Sequence, residues 1–285
     1  MKIAVIDIGS NSVRLMLWAD GTLYKKVKTT RLGEGIAYSS MLKEEAMERT
    51  VVAVKEFAAQ AEQDGAEHIY VFATAAVRSS DNGNVFCERV KRACSLEVDV
   101  VSGEKEAELG LYGAIGNAEN GGIIDIGGAS TEVCYRDCGR TSFLCSLSVG
   151  AVRLFDLCGQ NRAKTEEEIG RRIFPLQGNF NGKMYAIGGT VTTLACLKLA
   201  LRQYDGDKVQ GCVLTQEGVG RLTDVLFSLS VEERKRLVGM DVRRADVIAG
   251  ATLLLHQIMK KLSLQSITVS DRDNMEGYLA LKGIV

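Results

Sequence analysis

Two short segments of the chain have nearly the same sequence, and each joins an apolar run to an Asp-Gly turn. Residues 6–12 read Ile-Asp-Ile-Gly-Ser-Asn-Ser, and residues 124–131 read Ile-Asp-Ile-Gly-Gly-Ala-Ser-Thr. The apolar run predicts a buried strand, and glycine permits a sharp turn because it has no Cβ atom. Such a turn presents backbone N–H groups to an anion, with a carboxylate at its base that can bind a metal ion. One copy is common in ordinary loops, but two matched copies indicate a duplicated fold that binds phosphate.

Length and composition restrict the class of protein. A chain of 285 residues favours two domains, and 46% hydrophobic with 25% charged residues is ordinary globular composition. The net charge of −1 argues against a dedicated nucleic-acid-binding protein. No apolar run approaches the roughly 18 residues needed to span a bilayer, and the chain reaches Asp7 too early for a signal peptide. We therefore expect a cytoplasmic protein with no membrane partner.

The order of predicted elements is the same in both halves of the chain. The predicted strands that open the halves are 2–8, 13–19 and 21–30, and then 122–126, 131–136 and 141–148. Helices and strands alternate after each group, which predicts an α/β fold with helices packed on sheets. We expect two related domains, 1–120 and 121–285, with both Asp-Gly turns facing a cleft between them.

Cysteine and histidine usage narrows the possible chemistry. The eight cysteines form no CxxC pair and most lie in apolar segments, which favours reduced, buried thiols over disulfide or zinc roles. The two histidines, His68 and His256, both lie in apolar patterns, so a histidine-based nucleophilic triad is excluded.

Further segments place glycine, hydroxyl and charged residues at the ends of predicted elements. With the two opening turns, they are residues 7–15, 31–35, 73–78, 102–107, 125–132, 150–154, 187–190 and 267–271. Through these segments the chain resembles the exopolyphosphatase/guanosine pentaphosphate phosphohydrolase family, a branch of the actin-like ATPase (ribonuclease H-like) fold. The resemblance implies two duplicated actin-like domains with an interdomain cleft, in the short, two-domain form of the family.

Three glycine turns are the candidate phosphate-binding segments. Their hydroxyl, amide and backbone N–H groups can hydrogen-bond phosphoryl oxygens, and plain tight turns are the alternative. In adenine-binding relatives of this fold the third turn contacts nucleotide or further phosphates. The predicted phosphate-binding residues are Gly9, Ser10, Asn11, Ser12, Gly127, Gly128, Ala129, Ser130, Gly188, Gly189 and Thr190.

Three carboxylates are candidate ligands for a divalent cation. Asp125 and Glu132 flank the second turn, so both can approach one ion, and Asp7 holds the equivalent place at the first turn. Mg²⁺ takes oxygen ligands and keeps water and substrate phosphate in its shell, so we expect Mg²⁺ or another divalent cation as cofactor. Glu132 alone fits a surface strand equally well, and it is the resemblance that favours a metal or water-orienting role.

Glu106 and Arg78 are the candidate catalytic residues. The resemblance places the catalytic glutamate at the third residue after Gly103, and a carboxylate near bound Mg²⁺ can deprotonate or orient water. Arg78 ends an apolar strand at a turn, where a bidentate donor that is always charged suits a transferring phosphoryl group. The alternatives are a solvated helix charge for Glu106 and a structural salt bridge for Arg78.

These residues predict a phosphohydrolase that releases terminal phosphate from polyphosphate, guanosine pentaphosphate or both. The alternatives are a small-molecule kinase of the same fold and a non-catalytic sensor that binds polyphosphate or alarmone. No clear sugar-binding segment supports the kinase, and a binding protein has no need of a general base. A homodimer would lengthen the groove for an anionic chain.

The chain departs from the family pattern near its end. After Ser270-Asp271 the family usually has a Leu-Arg-Glu-Gly run, whereas residues 274–277 here read Asn-Met-Glu-Gly. Any role of the missing arginine is therefore absent or carried by another residue.

Overall fold

The structure is a computed structural model that describes residues 1–178, 180 and 182–284. The chain divides into two compact units, Met1–Gly103 and Glu104–Val285. The division lies earlier than the boundary expected after residue 120. The helix before that boundary packs within the second unit, because its Ala107 and Leu111 form a buried cluster with Ile123 and Cys134.

The first unit contains one mixed sheet. Its elements are β1 (Ile3–Ile8), β2 (Ser12–Trp18), β3 (Thr22–Thr29), α1 (Glu44–Gln63), β4 (His68–Ala73), α2 (Ala75–Arg78), α3 (Gly83–Cys94) and β5 (Val98–Val100). The strand order is β3-β2-β1-β4-β5, with β1 antiparallel to β2 and parallel to β4. Every residue of β1 is buried, as its continuous apolar sequence predicts.

The second unit contains the other sheet. Its elements are α4 (Gly103–Ile115), β6 (Gly121–Ile126), β7 (Thr131–Asp137), β8 (Arg140–Leu147), α5 (Ala151–Cys158), α6 (Arg162–Arg172), β9 (Met184–Ile187), α7 (Gly189–Leu199), α8 (Gly206–Val209), β10 (Val213–Thr215), α9 (Gln216–Ser228), α10 (Val231–Arg234), a 3₁₀ helix (Val242–Arg244), α11 (Ile248–Lys261), β11 (Ser266–Val269) and α12 (Asn274–Leu281). The strand order is β10-β11-β9-β6-β7-β8.

The two sheets have the same topology, which confirms the duplicated α/β fold. In the second unit β6 is antiparallel to β7 and parallel to β9, as β1 is to β2 and β4. β10 is an additional edge strand, antiparallel to β11, that the sequence did not indicate. Within the described part of the chain, no helix is long and apolar enough to cross a membrane.

Candidate active site

Two carboxylates face each other across the strands that open the second unit. Asp125 on β6 is directly opposite Glu132 on β7, so the two side chains project from the same face of the sheet. Asp125 is 7% exposed and Glu132 is completely buried. Like charges directly opposite each other destabilise a strand pair, so this arrangement is costly unless another group compensates it.

A third carboxylate, that of Glu106 on α4, lies close to this pair. Burial is the main cause that raises the pKa of Glu132 well above its ordinary range, and the charges of Glu106 and Asp125 raise it further. Hydrogen bonds from Ser146 and Ser130 oppose the increase, and the Ser146 Oγ to Glu132 Oε1 distance is 2.8 Å. The structure thus brings the predicted general base together with two predicted metal ligands. We call Glu106, Asp125 and Glu132 the carboxylate cluster.

The carboxylate cluster has the donor atoms that a hard cation requires. Glu132 Oε2 is buried and accepts no hydrogen bond from the described residues, which suits an oxygen whose partner is a bound ion. The described residues contain no compact group of three Asp, Glu, His or Cys side chains that would enclose a metal by itself. Mg²⁺ usually binds through one or two carboxylates and completes its shell with water and phosphate. Asp125 and Glu132 match that number of carboxylates, and a cation at this place stays a prediction.

The second glycine turn directs its backbone N–H groups away from α5. The carbonyl oxygens of Gly127 and Gly128 accept hydrogen bonds from the first amides of α5, at 2.8–3.1 Å. The carbonyl oxygen of Ala129 accepts from Arg153 Nε at 3.0 Å. Because C=O and N–H point in opposite directions in a trans peptide, the N–H groups of Gly128, Ala129 and Ser130 point the opposite way. Three successive N–H groups with this orientation are the arrangement expected of an anion-binding nest, and phosphate binding by this turn stays a prediction.

Close packing between backbones maintains this turn. A Cβ atom on Gly150 would lie 2.7 Å from the Gly127 carbonyl oxygen, so only glycine lets α5 approach. The guanidinium of Arg153 is half-buried, and burial followed by the nearby charge of Arg172 lowers its pKa. Arginine nevertheless stays charged in proteins, so Arg153 adds positive charge next to the nest.

The first glycine turn has the same construction with a different support. Gly9 N donates to Ser12 O at 3.0 Å, just as Gly127 N donates to Ser130 O. The carbonyl oxygens of Ser10 and Asn11 accept from the loop that follows β3 at 2.8–3.1 Å. The N–H groups of Asn11 and Ser12 therefore point away from that loop.

The carboxylate at the base of the first turn has an opposite charge beside it. Asp7 is directly opposite Arg14, and Arg14 donates through Nε, at 2.9 Å, and Nη2 to Asp7 Oδ2. The aspartate thus has a cationic partner from its own unit. This ion pair favours a role for Asp7 in orienting Arg14, and the predicted metal role of Asp7 stays a prediction.

Arg78 also lies in the first unit, and its local structure differs from the prediction. It ends the short helix α2, not a strand, because β4 stops at Ala73 and the chain then turns into a helix. Arg78 Nη1 donates to the carbonyl oxygen of Val101 at 2.8 Å. This bond fixes the orientation of the Arg78 guanidinium against Val101, the residue that follows β5.

The third glycine turn, at the start of α7, accommodates two charged side chains. Asp125 Oδ1 lies 2.8 Å from the position that a Cβ atom on Gly188 would take, and Gly188 has a φ of +86°. The guanidinium of Arg244 covers Gly189, where a Cβ atom would overlap it. Thr190 is buried. Packing alone explains both glycines, and phosphate binding by Gly188, Gly189 and Thr190 stays a prediction.

The comparison with known proteins identifies the family. The family model described as Ppx/GppA phosphatase matches residues 19–282, which is most of the chain. The chain belongs to the Ppx/GppA phosphatase family. Among relatives of this family, Exopolyphosphatase 2 of Mycobacterium tuberculosis is 26% identical over 320 residues that cover 99% of each chain. The bifunctional 3-dehydroquinate synthase/phosphatase of Fusobacterium nucleatum is 29% identical over 99% of this chain, which spans 46% of that longer protein.

The fold of this Ppx/GppA phosphatase matches that of a solved member. The Ppx/GppA protein of Aquifex aeolicus superposes with a TM-score of 0.81 at 28% identity, covering 100% of this chain and 98% of that one. The match extends over both units and supports the two-domain organisation that the resemblance implied.

Three side chains of the Ppx/GppA site could not be found by motif. Ser146 and Arg153 act on Glu132 and on the second turn, and Asn274 donates to Asp125. Arg153 belongs to a matched segment, but its contact with Ala129 depends on how α5 meets the turn. The only signal for Asn274 was that the family pattern changes at this position.

Proposed function

We propose that this chain releases terminal phosphate from polyphosphate, guanosine pentaphosphate or both, by attack of water on a phosphoanhydride bond. One observation carries the proposal, namely the buried carboxylate cluster beside a turn whose backbone N–H groups form an anion-binding nest. A binding protein gains nothing from three neighbouring buried carboxyl groups, whereas a hydrolase requires a base and a means of offsetting phosphate charge. The name of the mycobacterial relative supports polyphosphate as a substrate.

The protein's own groups have separate tasks in this reaction. Glu106 accepts a proton from the attacking water, the new P–O bond forms at the terminal phosphorus, and the bond to the bridging oxygen breaks. Orthophosphate leaves, and the substrate is one phosphate shorter. The N–H groups of Gly128, Ala129 and Ser130 stabilise negative charge on phosphoryl oxygens. A divalent cation held by Asp125 and Glu132 would supply further positive charge to the reacting phosphate.

The first unit has phosphate-binding candidates of its own. The N–H groups of Asn11 and Ser12, with the hydroxyl of Ser10 and the backbone of Gly9, form its nest. Arg78 supplies a charged donor whose position is set by its bond to Val101. We assign these first-unit groups to phosphate binding and charge stabilisation. We assign proton transfer to Glu106 of the second unit.

A phosphate-release assay tests the proposal. Wild-type protein with Mg²⁺ is given short polyphosphate, long polyphosphate or guanosine pentaphosphate, and we expect release from at least one of them. Glu106→Gln should lower kcat by about 10²–10⁴-fold, the usual contribution of a general base. Glu104→Gln is the matched control, since Glu104 is exposed on the same helix, and it should leave kcat unchanged.

Other outcomes distinguish the alternatives. No phosphate release from any of the three substrates would show that the proposed activity is wrong. Tight binding without turnover would favour a sensor, and transfer from ATP to an acceptor would favour a kinase. Equal activity of Glu106→Gln and wild type would show that Glu106 is not the general base, and it would leave the proposed phosphohydrolase activity standing.

A further inference from the structure

Asn274 is a buried amide that contacts the carboxylate cluster. It is the first residue of α12, is 3% exposed, and its Nδ2 donates to Asp125 Oδ2 at 3.0 Å. An ionised carboxylate can only accept hydrogen bonds, so the amide must present its NH₂ group to Asp125 and its Oδ1 to the other side. The contact therefore determines the orientation of the amide.

The carbonyl side of this amide lies against α4. A Cβ atom on Gly110 would lie 2.9 Å from Asn274 Oδ1, so the absence of a side chain there makes room for the amide. Gly110 follows Glu106 by four residues, and residues four apart share one face of a helix. Asn274 thus contacts Asp125 and also covers the helix face that carries Glu106.

The backbone of Asn274 is held in place from two directions. Asp273 and Glu276 form a capping box that fixes the start of α12. Gly113 and Gly277 allow α12 to approach α4 so closely that a Cβ atom on either would overlap a backbone carbonyl oxygen of the other segment. A side chain as short as asparagine then has little freedom to move away from Asp125.

We propose that Asn274 is a positioning residue that holds the Asp125 carboxylate in the orientation that binds the divalent cation. The inference rests on the cation site of the proposed function. Asn274 holds Oδ2 while Oδ1 lies over Gly188, so both oxygens of Asp125 have defined directions. The amide does this without adding a charge that would repel a cation.

Titration with Mn²⁺ alone, followed by the electron paramagnetic resonance signal of free Mn²⁺, tests this role. Mn²⁺ accepts the same oxygen ligands as Mg²⁺. Wild type should bind the ion in the absence of phosphate substrate. Asn274→Leu and the smaller Asn274→Ala should bind it about 10–100-fold more weakly, as is usual when the partner of a metal-binding carboxylate is lost. Met275→Leu, a change at the next buried residue of α12, is the matched control and should bind as wild type does.

The possible results separate the inference from the proposed function. If wild type binds no Mn²⁺, the cation site itself is wrong, and the inference fails with it. If wild type binds Mn²⁺ and the Asn274 variants bind it equally well, the cation site stands and the positioning role is overturned. If both Asn274 variants lower the metal-free Tm but not the affinity for Mn²⁺, or do not fold, the role of Asn274 is purely structural and the inference is again overturned.

Discussion

At the scale of single residues, the carboxylate cluster combines chemical use with a cost in stability. Three acidic side chains share a buried region, and Glu132 in particular has burial and two like charges against its ionised form. Active sites often retain such unfavourable arrangements because the reaction needs them. Replacing one acid by its amide should therefore separate stability from activity.

Glu132→Gln should stabilise the metal-free protein while impairing phosphate release. The substitution preserves shape, removes a buried group whose ionised form is disfavoured and adds an N–H donor next to Asp125. We expect the free energy of unfolding in urea with a chelator to rise by about 1–3 kcal/mol, which is typical for satisfying a buried polar group. Glu104→Gln on the exposed face of α4 should change it by less than about 0.5 kcal/mol. A Glu132→Gln protein no more stable than wild type would contradict the interpretation of the cluster as strained.

The sequence predicts this cluster only in part. Asp125 and Glu132 stand on either side of a tight hairpin turn, so their facing positions follow from the spacing once β6 and β7 are recognised. Glu106 approaches Asp125 and Glu132 because α4 packs in the second unit. No local sequence pattern predicted that packing. Ser146 and Asn274 are distant in sequence from their partners, so only the three-dimensional structure reveals their contacts.

At the scale of secondary-structure elements, closely packed backbones determine where the site residues lie. Apolar periodicity predicted β1, β2, β6 and β7 to within one or two residues because most of their side chains are buried. It could not predict which unit α4 joins, because that depends on glycines that admit α12. The contacts of Gly113 and Gly277 are invisible to hydrophobic patterning since glycine adds almost no apolar surface.

Gly113→Ala should destabilise the protein and displace α12. The new Cβ atom would overlap the carbonyl oxygen of Asp273, which belongs to the backbone and cannot rotate away. We expect a loss of about 3 kcal/mol, the upper end of the usual cost of overpacking, measured by urea unfolding. Gly170→Ala is the same change in α6 with no atom within 4 Å, and it should be neutral or stabilising because alanine favours helix. Equal effects of the two substitutions would rule out close α4–α12 packing.

The contact between β3 and the end of α1 should make stability depend on alkaline pH. Tyr24 donates to Asp64, and burial first, followed by this bond and the charge of Asp64, raises the pKa of Tyr24 to about 12. The folded state thus favours the neutral phenol. Its stabilising contribution is complete below about pH 10, the ordinary tyrosine pKa, and is lost as the pH rises through about 12.

Tyr24→Phe tests this dependence. The difference in free energy of unfolding between wild type and Tyr24→Phe should be constant below about pH 10 and shrink above it. Tyr38→Phe serves as the control because Tyr38 is 70% exposed. A Tyr24→Phe difference that stays constant throughout would show that the Asp64 contact does not favour the neutral phenol.

At the scale of the whole molecule, two units of the same topology differ in the charges beside their turns. The first unit pairs Asp7 with Arg14, and the second pairs Asp125 with Glu132. If the cation binds only where two acids face each other, its stabilising effect must originate in the second unit. Binding to the native state alone stabilises a protein in proportion to the logarithm of ligand concentration.

Mg²⁺ should therefore protect the two units unequally against hydrogen exchange. Compared with protein in a chelator, we expect slower amide exchange in β6, β7 and the start of α12, and unchanged exchange in β1 and β2. Saturation at about 100 times the dissociation constant corresponds to about 2.7 kcal/mol of stabilisation. The control is a buffer without divalent cations, in which Na⁺ gives the same ionic strength. Equal protection of both turns would mean that the cation does not distinguish the facing side chains.

The paired turns also show that one backbone arrangement can carry opposite charges beside its aspartate. Their backbones close with the same hydrogen bond, Gly9 to Ser12 and Gly127 to Ser130, and the residue facing the aspartate comes from the neighbouring strand. A substitution at that one position reverses the local charge and leaves the loop intact. Exchanging Arg14 and Glu132 is therefore the natural starting point for engineering the reverse arrangement of charges.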